Sequence, residues 1–259
     1  MNLAIELKRG ISAEIYKFKG TFTLWLLILA PAFIPAINLI IFLTKGDEII
    51  KPGDNPWEWL MQFTVDPANF LFPFFVFIVA LFVNNIEYNS NTWKLIYTQP
   101  LSRVAIYLSK MKVFVLMLFF SLTLFGLFTQ SIGLLLRFIK PEFGFDQAYD
   151  HAFIYMVCFK IFLATLGYAS IHFWISQRWK NIILPLGIGI AGFISFMILI
   201  QGWKYAEFHP YGYHVLALGG IRGEDFSLWA EMKHVYRSIG LAFVIFFLAG
   251  WEQSKKRIV

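Results

Sequence analysis

The sequence predicts an all-α polytopic membrane protein: six transmembrane helices, an amphipathic surface helix before the first, and a re-entrant segment before the last. Three observations predict this class. Of 259 residues, 58% are hydrophobic and 19% aromatic, while only 15% are charged; a soluble domain carries roughly 25% charged residues. A helix needs about 20 apolar residues to cross a bilayer core, and such runs occur at 22–43, 67–86, 113–136, 151–175, 181–200 and 235–251. Third, the polar connections between these runs alternate in charge. What lies outside the runs is too scattered to build a second core, so residues 1–259 are read as one transmembrane domain.

Residues 1–21 come first. Leu3, Leu7, Ile11, Ile15, Phe18 and Phe22 recur every three or four positions, which places them on one stripe of a helix. Glu6, Arg9, Glu14 and Lys17 lie mostly off that stripe. This pattern describes a helix lying flat on the membrane surface. The opening MNLAIELKRG has no short apolar core with a small-residue cleavage site, so no removable signal peptide is expected.

Orientation follows from the connections. The N-terminal segment, the 87–112 loop, the 176–180 turn and the tail 252–259 hold thirteen Lys and Arg against four acids, Glu6, Glu14, Glu87 and Glu252. The remaining loops hold seven bases (Lys45, Lys51, Arg137, Lys140, Lys204, Arg222, Lys233) against twelve acids. Basic loops stay in the cytoplasm, so both termini and the 87–112 loop are expected inside. Trp25, Trp93, Trp174, Trp179 and Trp251 then fall near inner ends, and Trp57, Trp59, Trp203 and Trp229 near outer ends, as interfacial belts would have it. The segment 201–234 is expected to be external. Its apolar part, 211–223, is too short to cross and is interrupted by Gly212, Gly219 and Gly220 after Pro210. It reads as re-entrant, shielded by the rest of the fold.

Catalytic motifs are missing from the sequence. It contains no G-x-x-x-x-G-K-[ST] phosphate loop, no H-E-x-x-H and no G-x-S-x-G. Cys158 is the single cysteine, so no intrachain disulfide can form. His209 and His214 stand five apart in a Pro/Gly-rich stretch, poor geometry for a shared metal. No catalytic residue, no metal site and no nucleic-acid partner are expected. Lys160 is the one cation deep in a span, and Gln130 and Ser131 lie at similar depth. Burying charge in hydrocarbon is costly, which leaves two readings for the lysine. It snorkels or tightens helix packing, or the three residues line a polar cavity on a substrate path. Gly187, Gly189, Ala191 and Gly192 suit a close helix interface.

The connection after the second span reads NNIEYNSNTWKLIYTQPLSRVAIYLSK. Asn89 to Thr98 can form a short helix along the membrane, and Pro100 blocks its continuation. By residues alone it is a basic loop with an aromatic anchor. Glu87, Thr92, Trp93, Lys94, Pro100, Ser102, Arg103, Ser109 and Lys110 together resemble the intracellular loop of ABC-2-type transporter permeases. The closest likeness is to the bacitracin and lantibiotic self-protection permeases of bacteria.

The resemblance implies an ABC-2 exporter-type transmembrane domain in the bacterial cytoplasmic (inner) membrane. It implies two separate ABC ATPase subunits that bind ATP and Mg, with no cofactor in this chain. A second permease copy or a sibling permease completes the membrane part, among membrane lipids. Glu87, Thr92, Trp93, Lys94, Pro100, Ser102 and Arg103 would dock the ATPase. The cargo class so implied is membrane-associated amphiphiles, with antibiotic immunity as the role. A non-ABC transporter or channel is the alternative, although no internal inverted repeat of the kind common in secondary transporters is found.

Overall fold

The computed structural model describes residues 3–89, 101–179, 181–219 and 227–255. These residues form helices and no strand: α1 (Leu3–Lys17), α2 (Phe22–Ile49), α3 (Pro56–Asn89), α4 (Arg103–Ile139), α5 (His151–Arg178), α6 (Ile183–Leu199), α7 (Tyr213–Ala217) and α8 (Met232–Lys255). Five of them, α2, α3, α4, α5 and α8, are long and apolar enough to cross a membrane, and α6 is a shorter apolar helix of 17 residues. The helices run back and forth. α1, the start of α4, the end of α5, the start of α6 and the end of α8 share one end of the bundle, the proximal end. The connections after α2, α4 and α6 share the distal end.

Two helices outrun their apolar segments. α3 begins at Pro56 rather than near residue 67 and reaches 34 residues, or ~51 Å at the helical rise. α4 begins at Arg103 rather than near 113 and reaches 37 residues. Pro56 suits a first helical position, where its missing N–H costs nothing. Ser102 supplies the N-cap of α4, accepting from Ala105 N at 3.3 Å. Both helices therefore carry polar turns beyond any ~30 Å hydrocarbon layer.

Two of the four prolines inside α2 and α3 are matched by partners on other elements. A proline has no N–H for the carbonyl four residues back, and in lipid that carbonyl must find another donor. Pro31 frees the carbonyl of Leu27, and Ser121 Oγ of α4 donates to it at 3.0 Å. Pro73 frees the carbonyl of Asn69, and His214 of α7 meets it at 2.9 Å through Nε2. A carbonyl only accepts, so Nε2 carries the proton. Asn38 Nδ2 donates to Thr64 Oγ1 at 2.8 Å, tying α2 to α3, and Asn84 Nδ2 reaches Phe173 O at 3.3 Å, tying α3 to α5.

α5 is the central helix, packed against α3, α4, α7 and α8. Small residues let its neighbours close in. Gly167 N donates to Ser238 Oγ of α8 at 2.8 Å, and a Cβ at Gly167 would stand 3.2 Å from the Ser238 backbone. Gly189 of α6 leaves room for His172 and Phe77, each 2.7 Å from where a Cβ would be. This is the close interface expected of α6, although Gly187 faces open space. The 201–219 segment does dip between the helices. Turns at Ala206–Phe208 and Pro210–Gly212 and the short α7 carry Tyr211 and His214 to 7% and 0% exposure. Tyr211 stacks with Tyr168 at 5.9 Å and lies against Gly192. Residues 220–226 lie outside the described residues.

One tryptophan departs from the interfacial belt. Trp57 is 1% exposed, stacks on Tyr149 at 5.4 Å and donates from Nε1 to Phe145 O at 3.1 Å. It fills the space left by Gly133 of α4 and thereby pins the distal loop. Trp25, Trp203, Trp229 and Trp251 are exposed.

Candidate functional site

The proximal end brings α1 and the head of α4 together. Ser102 Oγ donates to Glu6 Oε2 at 2.6 Å, and Ser102 N donates to the same oxygen at 3.1 Å. A carboxylate at a helix N-terminus meets unpaired N–H groups and the positive end of the helix dipole. The Ser102 hydroxyl, and then its backbone N–H, hold the Glu6 carboxyl below the ordinary carboxylate range. One turn on, Gly10 lies directly against Ser109, so any side chain at position 10 would collide with it. Glu14, one further turn along, accepts from Lys17 at 2.6 Å.

The face of α1 turned to the protein is thus Glu6, Gly10 and Glu14, spaced i, i+4, i+8. The apolar stripe flanks that face: Leu7 and Ile11 are half-buried, Phe18 is fully buried, and Leu3, Ile15 and Phe22 are 48%, 55% and 65% exposed. Sequence reasoning placed the charged residues outward and missed this clamp. The signal was present as a small residue set between two acids at helical spacing.

Of the residues expected to dock an ATPase, Thr92, Trp93, Lys94 and Pro100 lie outside the described residues, as does the short helix expected over 89–98 beyond Asn89. Glu87 falls in the last turn of α3. Ser102 caps α4, and Arg103 is its first residue. Ser109 and Lys110 are buried, with Lys110 Nζ donating to Val83 O of α3 at 3.4 Å. Among the described residues, Ser102, Ser109 and Lys110 join α4 to α1 and α3.

Lys160, Gln130 and Ser131 each bond a different partner. Lys160 Nζ donates to Ala230 O at 2.7 Å and so holds the turn that leads into α8. Gln130 accepts from Tyr155 OH at 2.6 Å, and Ser131 Oγ donates to its own helix at Leu127 O. His209 and His214 also part company: His209 meets Ser195 Oγ at 3.1 Å while His214 serves Asn69.

An apolar pocket of about 370 Å³ opens on the side of the bundle, between α2, α3 and α4. Pro31, Phe33, Ala68, Phe75 and Ser121 are among its walls, so the Pro31 kink helps to shape it. At the distal end Asp47, Glu48, Glu58 and Asp146 are exposed. Glu207 bridges to Arg237 at 3.2 Å and Lys233 at 3.6 Å, and the Arg237 guanidinium holds its carboxyl below the usual range.

A family model described as "ABC-2 family transporter protein" matches residues 10–197. The match runs from the Gly10 contact through nearly all of α6, and the dipping segment and α8 lie beyond it. Comparison with curated proteins and with solved structures gave no match. A match of this extent joins a multi-pass helical bundle to its role, and the chain belongs to the ABC-2 transporter family, as a membrane-spanning permease component that works with ABC ATPase partners.

Proposed function

We propose that the chain is the permease half of an ATP-driven exporter that moves membrane-associated amphiphiles, peptide antibiotics first, outward across the bacterial cytoplasmic membrane. Both termini are cytoplasmic in this reading. Separate ABC ATPase subunits bind ATP and Mg and carry out hydrolysis. A second copy of this chain, or a sibling permease, completes the membrane part.

The observation that carries the reading is the clamp of α1 onto the head of α4 through Glu6 and Ser102. An ATPase seated on Glu87, Thr92, Trp93, Lys94, Pro100, Ser102 and Arg103 pushes at the point where α1, α3 and α4 meet. Because α1 is fixed there, the surface helix and α4 move as one body. α4 also walls the lateral pocket, so its movement alters the opening between α2 and α3 and switches the path between two states. The exposed acids of the distal end draw cationic amphiphiles toward that face, and the apolar pocket suits their apolar part.

The docking element is tested by Trp93→Ala combined with Arg103→Glu. Co-purification with the cognate ATPase and permease-stimulated ATP hydrolysis should both be lost while membrane insertion is kept. Undiminished assembly and hydrolysis would remove the docking assignment. Cargo is tested in a sensitive host expressing permease and ATPase, challenged with cationic peptides, bacitracin-like compounds and neutral drugs. Absence of ATPase-dependent protection against every peptide would overturn the cargo class and leave the permease role standing.

A further inference from the structure

Under α1 runs an open groove that the docking and transport readings do not use. Its floor is apolar, with Leu7 and Ile11 of α1 and Leu24 of α2, and its rim carries three lysines, Lys8, Lys19 and Lys112. The lysines come from α1, from the turn after it and from α4, so the fold gathers them from three places in the chain. Among the described residues, no carboxylate lines the groove. The two buried acids of α1 are committed elsewhere, Glu6 to Ser102 and Glu14 to Lys17. Lys19 Nζ stands 5.8 Å over the Tyr16 ring, and Tyr16 is itself 73% exposed.

We propose that this groove holds an anionic glycerophospholipid of the leaflet at the proximal end, its phosphate among Lys8, Lys19 and Lys112 and its acyl chains along Leu7, Ile11 and Leu24. Three cations gathered on a rim without a described carboxylate select a negative headgroup. The apolar floor selects a lipid over a free phosphate, because it leaves acyl carbon to be removed from water. The exposed apolar side chains of α1 place the groove at the depth where headgroup and acyl chain meet. A lipid seated there bridges α1, α2 and α4, and so stiffens the clamp from the side opposite Glu6.

The test uses the full chain in nanodiscs of phosphatidylcholine doped with phosphatidylglycerol. After extraction into mild detergent, the retained lipids are counted by native mass spectrometry. Wild type should retain phosphatidylglycerol in preference to phosphatidylcholine. Each basic side chain near an anionic surface contributes about fivefold, so Lys8→Gln, Lys19→Gln and Lys112→Gln combined should lower the preference by more than tenfold. The corresponding Arg triple should keep it, which separates lost charge from a lost fold. Neutralising Lys45, Lys51 and Lys204 at the distal end should leave it unchanged. An undiminished preference in the Gln triple, or equal loss in the Arg triple, overturns the proposal. Displacement of the lipid by free glycerol phosphate would assign the site to a soluble phosphate and overturn it too.

Discussion

The pairing of His214 with the carbonyl that Pro73 vacates gives a prediction that can be worked through. His214→Phe keeps a ring of similar size, so the edge contact with Tyr168 at 5.3 Å and the contact with Phe193 at 6.1 Å survive. The Nε2 donor is lost, and Asn69 O, met at 2.9 Å in the native protein, is left without it. A buried polar group stripped of its partner costs about 1–3 kcal/mol. Coupling within membrane proteins averages nearer ~0.6 kcal/mol, since the unfolded chain also finds partners. His214 is 0% exposed and walled by aromatic rings, which favours the upper figure, and we expect about 1–2 kcal/mol. In a domain of this size that lowers Tm by roughly 2–8 °C. Pro73→Ala restores an N–H at position 73, which can bond Asn69 O within α3. In that background His214→Phe should cost little, so the two substitutions should be coupled by about 1 kcal/mol. Thermal unfolding in detergent, followed by tryptophan fluorescence for all four proteins of the cycle, reads this out. Strict additivity would refute the reasoning, because His214 would then not be answering the proline.

The other predictions concern the clamp, the buried lysine, topology and acid. Gly10→Leu should collide with Ser109, lift α1 from α4 and uncouple ATP hydrolysis from transport while the permease still inserts; normal coupling would show that α1 is a passive anchor. Lys160→Met should lower thermal stability by about 1–3 kcal/mol by orphaning Ala230 O, with cargo range unchanged in protection assays; an altered cargo range would return the lysine to the substrate path. Single-cysteine labelling in a Cys158→Ser background should reach position 256 only from the cytoplasmic side, and labelling from outside would invert the orientation. The Glu6 carboxyl lies below its ordinary range when folded, so its contribution is present above the unfolded value and is lost as pH falls through the folded one. Protease accessibility of α1 should therefore rise only under acid, and Glu6→Gln should remove that acid-induced change; a change that survives the substitution would point to another group.

Spans were legible because lipid imposes one rule, apolar length, that a linear pattern can carry. Leu and Phe runs located α2, α4 and α5 without any knowledge of partners. Polar ends were harder. The first turns of α3 carry Glu58 and Asp66 with Pro67 beyond, and read as loop. They are helical because Trp57 is buried against Phe145 and Gly133, a contact fixed by residues far along the chain. α1 shows the same limit on one helix: its period was legible, yet which stripe faced protein depended on Ser102 and Ser109 offering partners for Glu6 and Gly10. The role of His214 was out of reach, since no spacing rule links a histidine to an orphaned carbonyl 145 residues away. At the candidate site, Ser102 and Arg103 read as part of the 87–112 loop, because the capping contact of Ser102 depends on the three-dimensional start of α4. The two readings of Lys160 stayed open because its carbonyl partner, Ala230 O, lies 70 residues away.

The brevity of α6 bears on the membrane around the protein. Its 17 helical residues rise only ~26 Å, against a hydrocarbon layer of ~30 Å. Ile183, Ile194 and Ile198 on its exposed side are 83%, 50% and 63% accessible, so lipid rather than protein meets this shortfall. A bilayer meeting a short apolar wall thins beside it, at a cost of fractions of a kcal/mol per Å. Along this flank the apolar wall offered to lipid is thus shorter than the hydrocarbon layer it would adjoin. An amphiphile of the proposed cargo class would meet a thinner apolar barrier there than beside the longer helices.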